Sequence, residues 1–359
     1  MAGRGRKNAY DDRRITPAHQ DDETPLLQSQ LTRNTKSSMD IIYFLSGLVI
    51  LGFAGEATLR GAVGLAHHLD ISPAVIGLTV VGFGTSLPEL VVCVQAALDG
   101  EPDLAIGNIV GSNIANTLLI LGVGALIFPL VCDPRSVRRD GMAMVLATAF
   151  CVVLAVLGEI RPWIGIAMVV TLVTYLGWSF KHDRAAPDAA TELHEKKAED
   201  LPEAPARVSV NLIYVIIGLV GLTGGAALLI DGATGIARGF GIPESIIGLT
   251  MIALGTSLPE LFATVIAALR RHGDVAIGNV LGSNLFNILG TLGATAAIEP
   301  LTFAADIRSI DVWVMLGVTV VALPLMITGW RVSRVEGAFL LCAYVVYVGS
   351  LTARGIINV

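Results

Sequence analysis

Uninterrupted apolar stretches dominate this chain, and several are long enough to cross a lipid bilayer, for example residues 41–59, 142–157 and 312–328. A helix of about 20 residues spans a hydrocarbon core of roughly 30 Å. Of the residues, 53% are hydrophobic and 15% are charged, which is too little charge to cover the surface of a soluble domain. The sequence therefore predicts an all-α polytopic protein of the cell membrane (inner or plasma membrane), with the lipid bilayer as its surroundings.

The apolar stretches divide the chain into about ten transmembrane helices. Their approximate bounds are 40–59, 73–98, 104–128, 141–158, 162–180, 209–231, 243–269, 275–298, 311–329 and 334–352. We expect a polar disordered tail at 1–38, a first five-helix unit at 39–180, a cytoplasmic linker at 181–208 and a second five-helix unit at 209–359. Met39 directly precedes the first apolar stretch and is a candidate for the natural start.

The two five-helix units are copies of each other. GTSLPEL occurs at Gly84–Leu90 and again at Gly255–Leu261, a shift of 171 residues. At that shift, 24 of the 41 positions in 76–116 are identical to their partners in 247–287, without a gap. Chance does not produce such agreement, so the chain contains an internal repeat.

An odd number of spans in each unit makes the repeat inverted, because the second unit then enters the membrane from the opposite face. Inverted repeats are typical of secondary transporters, whose substrate site lies between broken helices near the bilayer midplane. Lys and Arg concentrate in the loops after odd-numbered spans, which predicts a cytoplasmic linker and external termini. The seven Lys and Arg of 1–38 oppose this orientation, and a start at Met39 removes most of the conflict.

Each GTSLPEL motif places a helix breaker and a carboxylate inside a predicted span. Pro88 and Pro259 lack an N–H, so the carbonyls of Gly84 and Gly255 lose their helical partners. Such gaps are tolerated at membrane depth only where they are buried in protein or line a polar cavity. Glu89 and Glu260, an ionisable pair repeated by symmetry, therefore predict a site for hard cations that prefer oxygen ligands.

A second repeated motif, GNxxGSNxxN, follows at Gly107–Asn116 and Gly278–Asn287. Its paired glycines are typical of close helix packing, and its Ser and last Asn, four residues apart, share one helix face. The other asparagines of the motif, Asn108, Asn113, Asn279 and Asn284, are interpreted as structural. Asp103 and Asp274 are interpreted as helix N-caps, and Glu56 and Asp231 as residues near span ends.

Several other function classes find no support in the sequence. Four scattered cysteines suit small packing roles, and no CxxC, HExxH or phosphate-binding glycine loop occurs. An intramembrane enzyme would need a histidine base or paired aspartates at membrane depth, and neither is present. No cofactor and no nucleic-acid partner are expected, and nothing indicates the oligomeric state.

With these motifs the chain resembles the cation/Ca²⁺ exchanger superfamily, specifically its prokaryotic Na⁺/Ca²⁺ exchanger-like members, whose hallmark is the paired repeat. The resemblance implies an antiporter that uses inward Na⁺ movement to expel Ca²⁺, so Ca²⁺ and Na⁺ are substrates. It implies a ligand set of carboxylates, hydroxyls, amides and backbone carbonyls, at Glu89, Glu260, Thr85, Thr256, Ser86, Ser257, Ser112, Ser283, Asn116, Asn287, Gly82 and Ala253.

One departure from relatives bears on the coupling ion. K⁺-dependent relatives carry an aspartate where this chain has Asn287, which favours K⁺ independence here. The H⁺/Ca²⁺ branch has a GNxxE-type pattern instead of GTSLPE, which favours Na⁺ coupling. An H⁺/Ca²⁺ or other cation/H⁺ antiporter, and a passive cation channel, stay open as alternatives.

Overall fold

The computed structural model describes residues 23–184, 207–240, 242 and 255–357, and almost all of them are helical. In the first half the helices are α1 (Glu23–Leu69), α2 (Pro73–Thr85), α3 (Leu87–Leu98), α4 (Pro102–Ile127), α5 (Pro134–Leu157) and α6 (Pro162–Arg184). In the second half they are α7 (Val208–Gly239), α8 (Leu258–Leu269), α9 (Gly273–Ile298), α10 (Ile307–Trp330) and α11 (Arg334–Ile357). The predicted all-α membrane architecture is confirmed.

The described helices account for nine of the ten predicted spans and for part of the tenth. Eight of them are long and apolar enough to cross a membrane, and α2 with α3 forms a further span bent by 42°. Helix α8 corresponds to the second part of the predicted span 243–269. The first part of that span, residues 243–254, lies outside the described residues.

The first helix extends beyond its apolar stretch at both ends. It begins at Glu23, inside the segment 1–38 for which disorder is expected, and it continues to Leu69. Glu56 therefore lies well within α1, and Asp231 likewise lies within α7, which continues to Gly239. Both helices thus continue past the apolar stretches that define the predicted spans, and the position of these two acidic residues near the ends of their spans stays a prediction. Residues 1–22 lie outside the described part.

Helices α1 and α7, which are equivalent in the repeat, pack along each other in opposite directions. Asn211 of α7 lies against Gly64 of α1, and Asp40 of α1 lies against Gly235 of α7. Asp40 and Asn211 are related by the 171-residue shift, as are the two glycines. The same contact is therefore made twice by antiparallel copies of one helix, as an inverted repeat requires.

Four two-residue strands join the halves at their loops. β1 (Leu130–Val131) pairs antiparallel with β4 (Arg331–Val332), and β2 (Glu159–Ile160) pairs antiparallel with β3 (Leu301–Thr302). Each ribbon thus takes one strand from each half. β1 and β4 follow the third and ninth spans, whereas β2 and β3 follow the fourth and eighth, so loops of equal parity meet.

Helices α4 and α9 form the centre of the bundle. Nearly all of α9 and most of α4 are buried, whereas α6, α7 and α11 expose most of their surface. Both central helices carry the GNxxGSNxxN motif and contain a π turn, at Asn116–Ile120 and Phe286–Leu292. The motif therefore occupies the most enclosed part of the molecule.

The predicted N-cap roles of Asp103 and Asp274 are wrong. Helix α4 begins at Pro102, so Asp103 lies in its first turn, and α9 begins at Gly273, which places Asp274 in the same position. Proline suits the first helical position because the N–H it lacks has no intrahelical partner there. A carboxylate in the first turn still interacts favourably with the helix dipole.

Candidate cation-binding site

The two GTSLPEL motifs break their helices in the same way. The break falls at Ser86, with φ −88° and ψ 7°, and at Ser257, with φ −90° and ψ 6°. In each copy the proline then occupies the first turn of the next helix, where its missing N–H is harmless. The glutamate lies in the same first turn, close to the positive end of the helix dipole.

The two glutamates are held by the serines of the opposite halves. Glu89 and Glu260 are both 0% exposed. Ser86 Oγ donates to Glu260 Oε1 at 2.8 Å, and Ser257 Oγ donates to Glu89 Oε1 at 3.5 Å. Each carboxylate is therefore connected to the helix break of the other repeat, so the two motifs meet in the interior.

Several buried polar atoms around this pair have no hydrogen-bond partner among the residues that the structure describes. They are Glu89 Oε2, Glu260 Oε2, Ser112 Oγ and both amide atoms of Asn116 and Asn287. The π turn that begins at Asn116 contacts α8, and the π turn that contains Asn287 contacts α3. A buried oxygen without a partner is unfavourable by about 1–3 kcal/mol, so these atoms suit a bound cation.

The remaining predicted ligands lie in the same region but have protein partners. Thr85 Oγ1 donates to the carbonyl of Val81 at 3.0 Å, and Ser283 Oγ donates to the carbonyl of Gly82 at 3.4 Å. Thr256 is part-buried beside the break in the second half. Ala253 lies outside the described residues.

Asn108 and Asn279 link the halves around the site. Thr85 Oγ1 approaches Asn279 Oδ1 at 3.4 Å, and Thr256 Oγ1 approaches Asn108 Oδ1 at 3.5 Å. Asn279 Nδ2 also donates to the Glu260 carbonyl at 3.2 Å. The predicted structural role agrees with these bonds. The bridge between halves was missed from sequence, although identity at both repeat positions was its signal.

The amide of each linking asparagine also bonds within its own half. Asn279 Nδ2 donates to Thr264 Oγ1 at 3.0 Å, and Asn108 Nδ2 approaches Cys93 Sγ at 3.3 Å. Thr264 and Cys93 are equivalent in the repeat and follow the site glutamates by one helical turn. Sulfur is a weak acceptor, so the two halves of the site differ at this position.

Glycines allow the central helix α9 to approach α2. A Cβ on Gly278 would collide with the backbone of Ala74, and one on Gly282 would collide with the backbone of Leu78. The packing role predicted for this pair is therefore confirmed. In the first half, a Cβ on Gly107 would make ordinary contact with the Ile307 side chain, and one on Gly111 would meet open space among the described residues. Residues 243–254, equivalent to part of α2, lie outside the described residues.

The site can therefore hold a hard cation. With a cation bound, its two carboxylates can supply two negative charges in a region of low dielectric, where an unpaired charge is unfavourable by several kcal/mol. Hydroxyl and amide oxygens surround them, and such oxygen sets are typical of Ca²⁺ and similar ions. Together the two glutamates balance the charge of one divalent ion.

The family model described as sodium/calcium exchanger protein matches this chain twice, at residues 39–181 and 210–353. The chain belongs to the sodium/calcium exchanger family. The two matches coincide with the two halves of the fold. The family consists of transporters, so this exchanger is a multi-pass membrane transporter and not an enzyme.

Relatives of this exchanger cover most of its length. The sodium/calcium exchanger MaX1 of Methanosarcina acetivorans is 30% identical over 345 residues, covering 86% of this chain and 97% of MaX1. The inner membrane protein YrbG of Escherichia coli is 35% identical over 311 residues, covering 85% of this chain and 94% of YrbG. A structure of the sodium-calcium exchanger NCX_Mj, soaked with Na⁺ and Sr²⁺, is 31% identical in sequence to this chain and matches its fold with a TM-score of 0.75. The match covers 87% of this chain and 98% of the NCX_Mj chain.

Proposed function

We propose that this protein is a secondary active antiporter that exchanges Na⁺ for Ca²⁺ by alternating access, independently of K⁺, and that it exports Ca²⁺. The observation that carries the proposal is the pair of fully buried carboxylates, each bonded to the opposite half and each with one oxygen unpartnered among the described residues. A site built equally by two inverted halves can open to either face when the halves rearrange.

In this proposal Glu89 and Glu260 are shared by Ca²⁺ and Na⁺. The hydroxyls of Ser86, Ser257, Ser112 and Ser283, the amides of Asn116 and Asn287 and the carbonyls of Thr85, Thr256, Gly82 and Ala253 supply the other oxygens. One Ca²⁺ neutralises the two carboxylates. More than two Na⁺ would leave a positive complex, so exchange with such a ratio would carry net charge.

Flux into vesicles tests the proposal. Purified protein in Na⁺-loaded liposomes should take up radioactive Ca²⁺ only when the external medium lacks Na⁺, and replacing external K⁺ by choline should not alter the rate. Glu89→Gln and Glu260→Gln should each abolish uptake while Glu159→Gln, on the exposed loop strand β2, should retain it. Uptake without an opposing gradient of either Na⁺ or H⁺ would indicate a channel, and uptake by both site variants would exclude this site.

Proton coupling is the second candidate, since buried glutamates can also carry protons. Imposing a pH gradient across the membrane of Na⁺-free vesicles distinguishes H⁺-coupled from Na⁺-coupled Ca²⁺ exchange. Ca²⁺ uptake driven by that gradient alone would assign the protein to cation/H⁺ exchange, whereas uptake that requires Na⁺ at every pH supports the Na⁺-coupled function.

A further inference from the structure

A second cavity lies outside the cation site, between α1 and α8. It has a volume of about 490 Å³ and is open to the surface of the bundle. Its apolar lining consists of Leu48, Val49, Gly52 and Phe53 from α1, with Ile266 and Leu269 from α8. We call this cavity the α1–α8 groove. Because both helices are membrane spans or parts of spans, the groove faces lipid.

One end of the α1–α8 groove is charged. Glu56 Oε1 accepts from Arg60 Nε at 2.8 Å, and Glu56 Oε2 accepts from Arg270 Nε at 2.9 Å. The side chains of Arg60 and Arg270 are 39% and 51% exposed, whereas that of Glu56 is 19% exposed. Two arginines around one carboxylate leave a net positive charge. Arg270 lines the end of the groove, and Arg60 is joined to that end through Glu56.

The charged end is not a by-product of the repeat. At a shift of 171 residues, Arg60 corresponds to Asp231 and Arg270 corresponds to Asp99, while Glu56 corresponds to Ala227. The equivalent place in the other half is therefore acidic where the α1–α8 groove is basic. A phosphate group would be attracted to the first location and repelled from the second.

We propose that the α1–α8 groove binds one anionic phospholipid, with an acyl chain along the apolar lining and the headgroup phosphate at Arg270 and Arg60. An apolar groove that ends at Arg270, with Arg60 beside it on the shared carboxylate of Glu56, matches the two parts of such a lipid, because guanidinium groups bind phosphate in a bidentate manner. The loop charges predict that this end faces the cytoplasm, where anionic lipids make the membrane surface negative.

The bound lipid would stabilise the packing of α1 against α8. Arg270 directly follows α8, and Glu260 lies in the first turn of the same helix. A lipid that contacts both helices at once thus fixes the element that carries one of the two buried carboxylates. Its binding should raise the melting temperature of the protein.

Native mass spectrometry of the full-length protein in detergent tests the proposal, with phosphatidylglycerol and phosphatidylcholine of identical acyl chains as probes. The wild type should retain one phosphatidylglycerol in preference to phosphatidylcholine. Arg270→Gln should weaken phosphatidylglycerol binding about tenfold, as expected for the loss of one charge-assisted contact, and remove its effect on the melting temperature. Arg331→Gln, an exposed arginine on β4, should leave both unchanged.

A filled groove provides a test that leaves the charges intact. A Cβ at Gly52 meets no atom within 4 Å, so Gly52→Leu should fold and occupy the groove. Gly224→Leu on α7 is the matched control, since Gly224 also has open space. Gly52→Leu alone should abolish retention of the lipid. The proposal would be overturned by unchanged lipid retention in Gly52→Leu or by equal binding of the two lipids. It would also be overturned if Arg270→Gln and Arg331→Gln lost phosphatidylglycerol binding equally.

Discussion

At the residue scale, Asn108 and Asn279 join the two halves beside the buried carboxylates, but they do so with unequal numbers of bonds. Asn279 contacts Thr85, Thr264 and the carbonyl of Glu260, whereas Asn108 contacts Thr256 and the weaker acceptor Cys93. The second half of the site is thus more firmly held than the first.

This inequality predicts that Asn279→Ala destabilises the protein more than Asn108→Ala. Each buried group left without a partner is unfavourable by about 1–3 kcal/mol, and the change at position 279 affects one more group. The melting temperature in detergent measures the difference in stability between the two variants. The Ca²⁺ concentration needed for half-maximal exchange should also change more in Asn279→Ala than in Asn108→Ala. Equal effects of the two substitutions would contradict the unequal anchoring.

Asn287 determines the charge of the site in the proposed function. Asn287→Asp would add a third carboxylate, so one bound Ca²⁺ would leave a negative charge without compensation. We expect a monovalent cation such as K⁺ to stimulate Ca²⁺ uptake in this variant and not in the wild type. Asn284→Asp, one turn away and bonded to Thr117, is the control. Identical K⁺ responses of variant and wild type would argue against direct participation of Asn287.

The buried residues that meet at the two helix breaks, Ser86, Ser257, Glu89 and Glu260, could be picked out from sequence because each is repeated at the same spacing in a membrane-embedded motif. Their partners could not. The hydrogen bond from Ser86 to Glu260 joins residues 174 positions apart, and it depends on how one half is placed on the other. Periodicity indicates which residues share a helix face, but it carries no information on that placement.

At the element scale, contact between α2 and α9 depends on the absence of side chains. Gly278→Ala would place a methyl group against the carbonyl of Ala74, and such overpacking is unfavourable by about 1–3 kcal/mol. Gly317→Ala in α10 meets open space and should be neutral or stabilising by up to about 1 kcal/mol. Melting temperatures of the two variants provide the comparison. A stable Gly278→Ala protein would exclude the close approach of these helices.

Helix ends were the least predictable elements. The apolar stretch in α1 ends near residue 59, but the helix continues to Leu69, because hydropathy reports the lipid-facing part and not the helical backbone. Residues 60–69 lie beyond the strongest apolar run yet remain packed, with Ala62 and Ala66 fully buried. Burial against protein, which local composition does not reveal, supports this extension.

At the scale of the whole molecule, the strand pairs make a prediction about sidedness. Cysteines introduced at Val131 and Arg331 should react with an impermeant maleimide from one face of the membrane, and those at Glu159 and Thr302 from the other. All four positions are exposed, and Cys342, the exposed native cysteine, is replaced by serine as background. Labelling of the repeat equivalents Val131→Cys and Thr302→Cys from the same face would contradict an inverted repeat.

The ribbons β1–β4 and β2–β3 also bear on how such a molecule can arise. Each ribbon is built by one strand from each half, and each buried carboxylate is bonded by a serine of the opposite half. Two separate polypeptides, each the length of one half and inserted in opposite orientations, could therefore assemble the same interior without a covalent connection. The duplicated gene would then descend from a single short gene whose product formed a dimer of two copies in opposite membrane orientations.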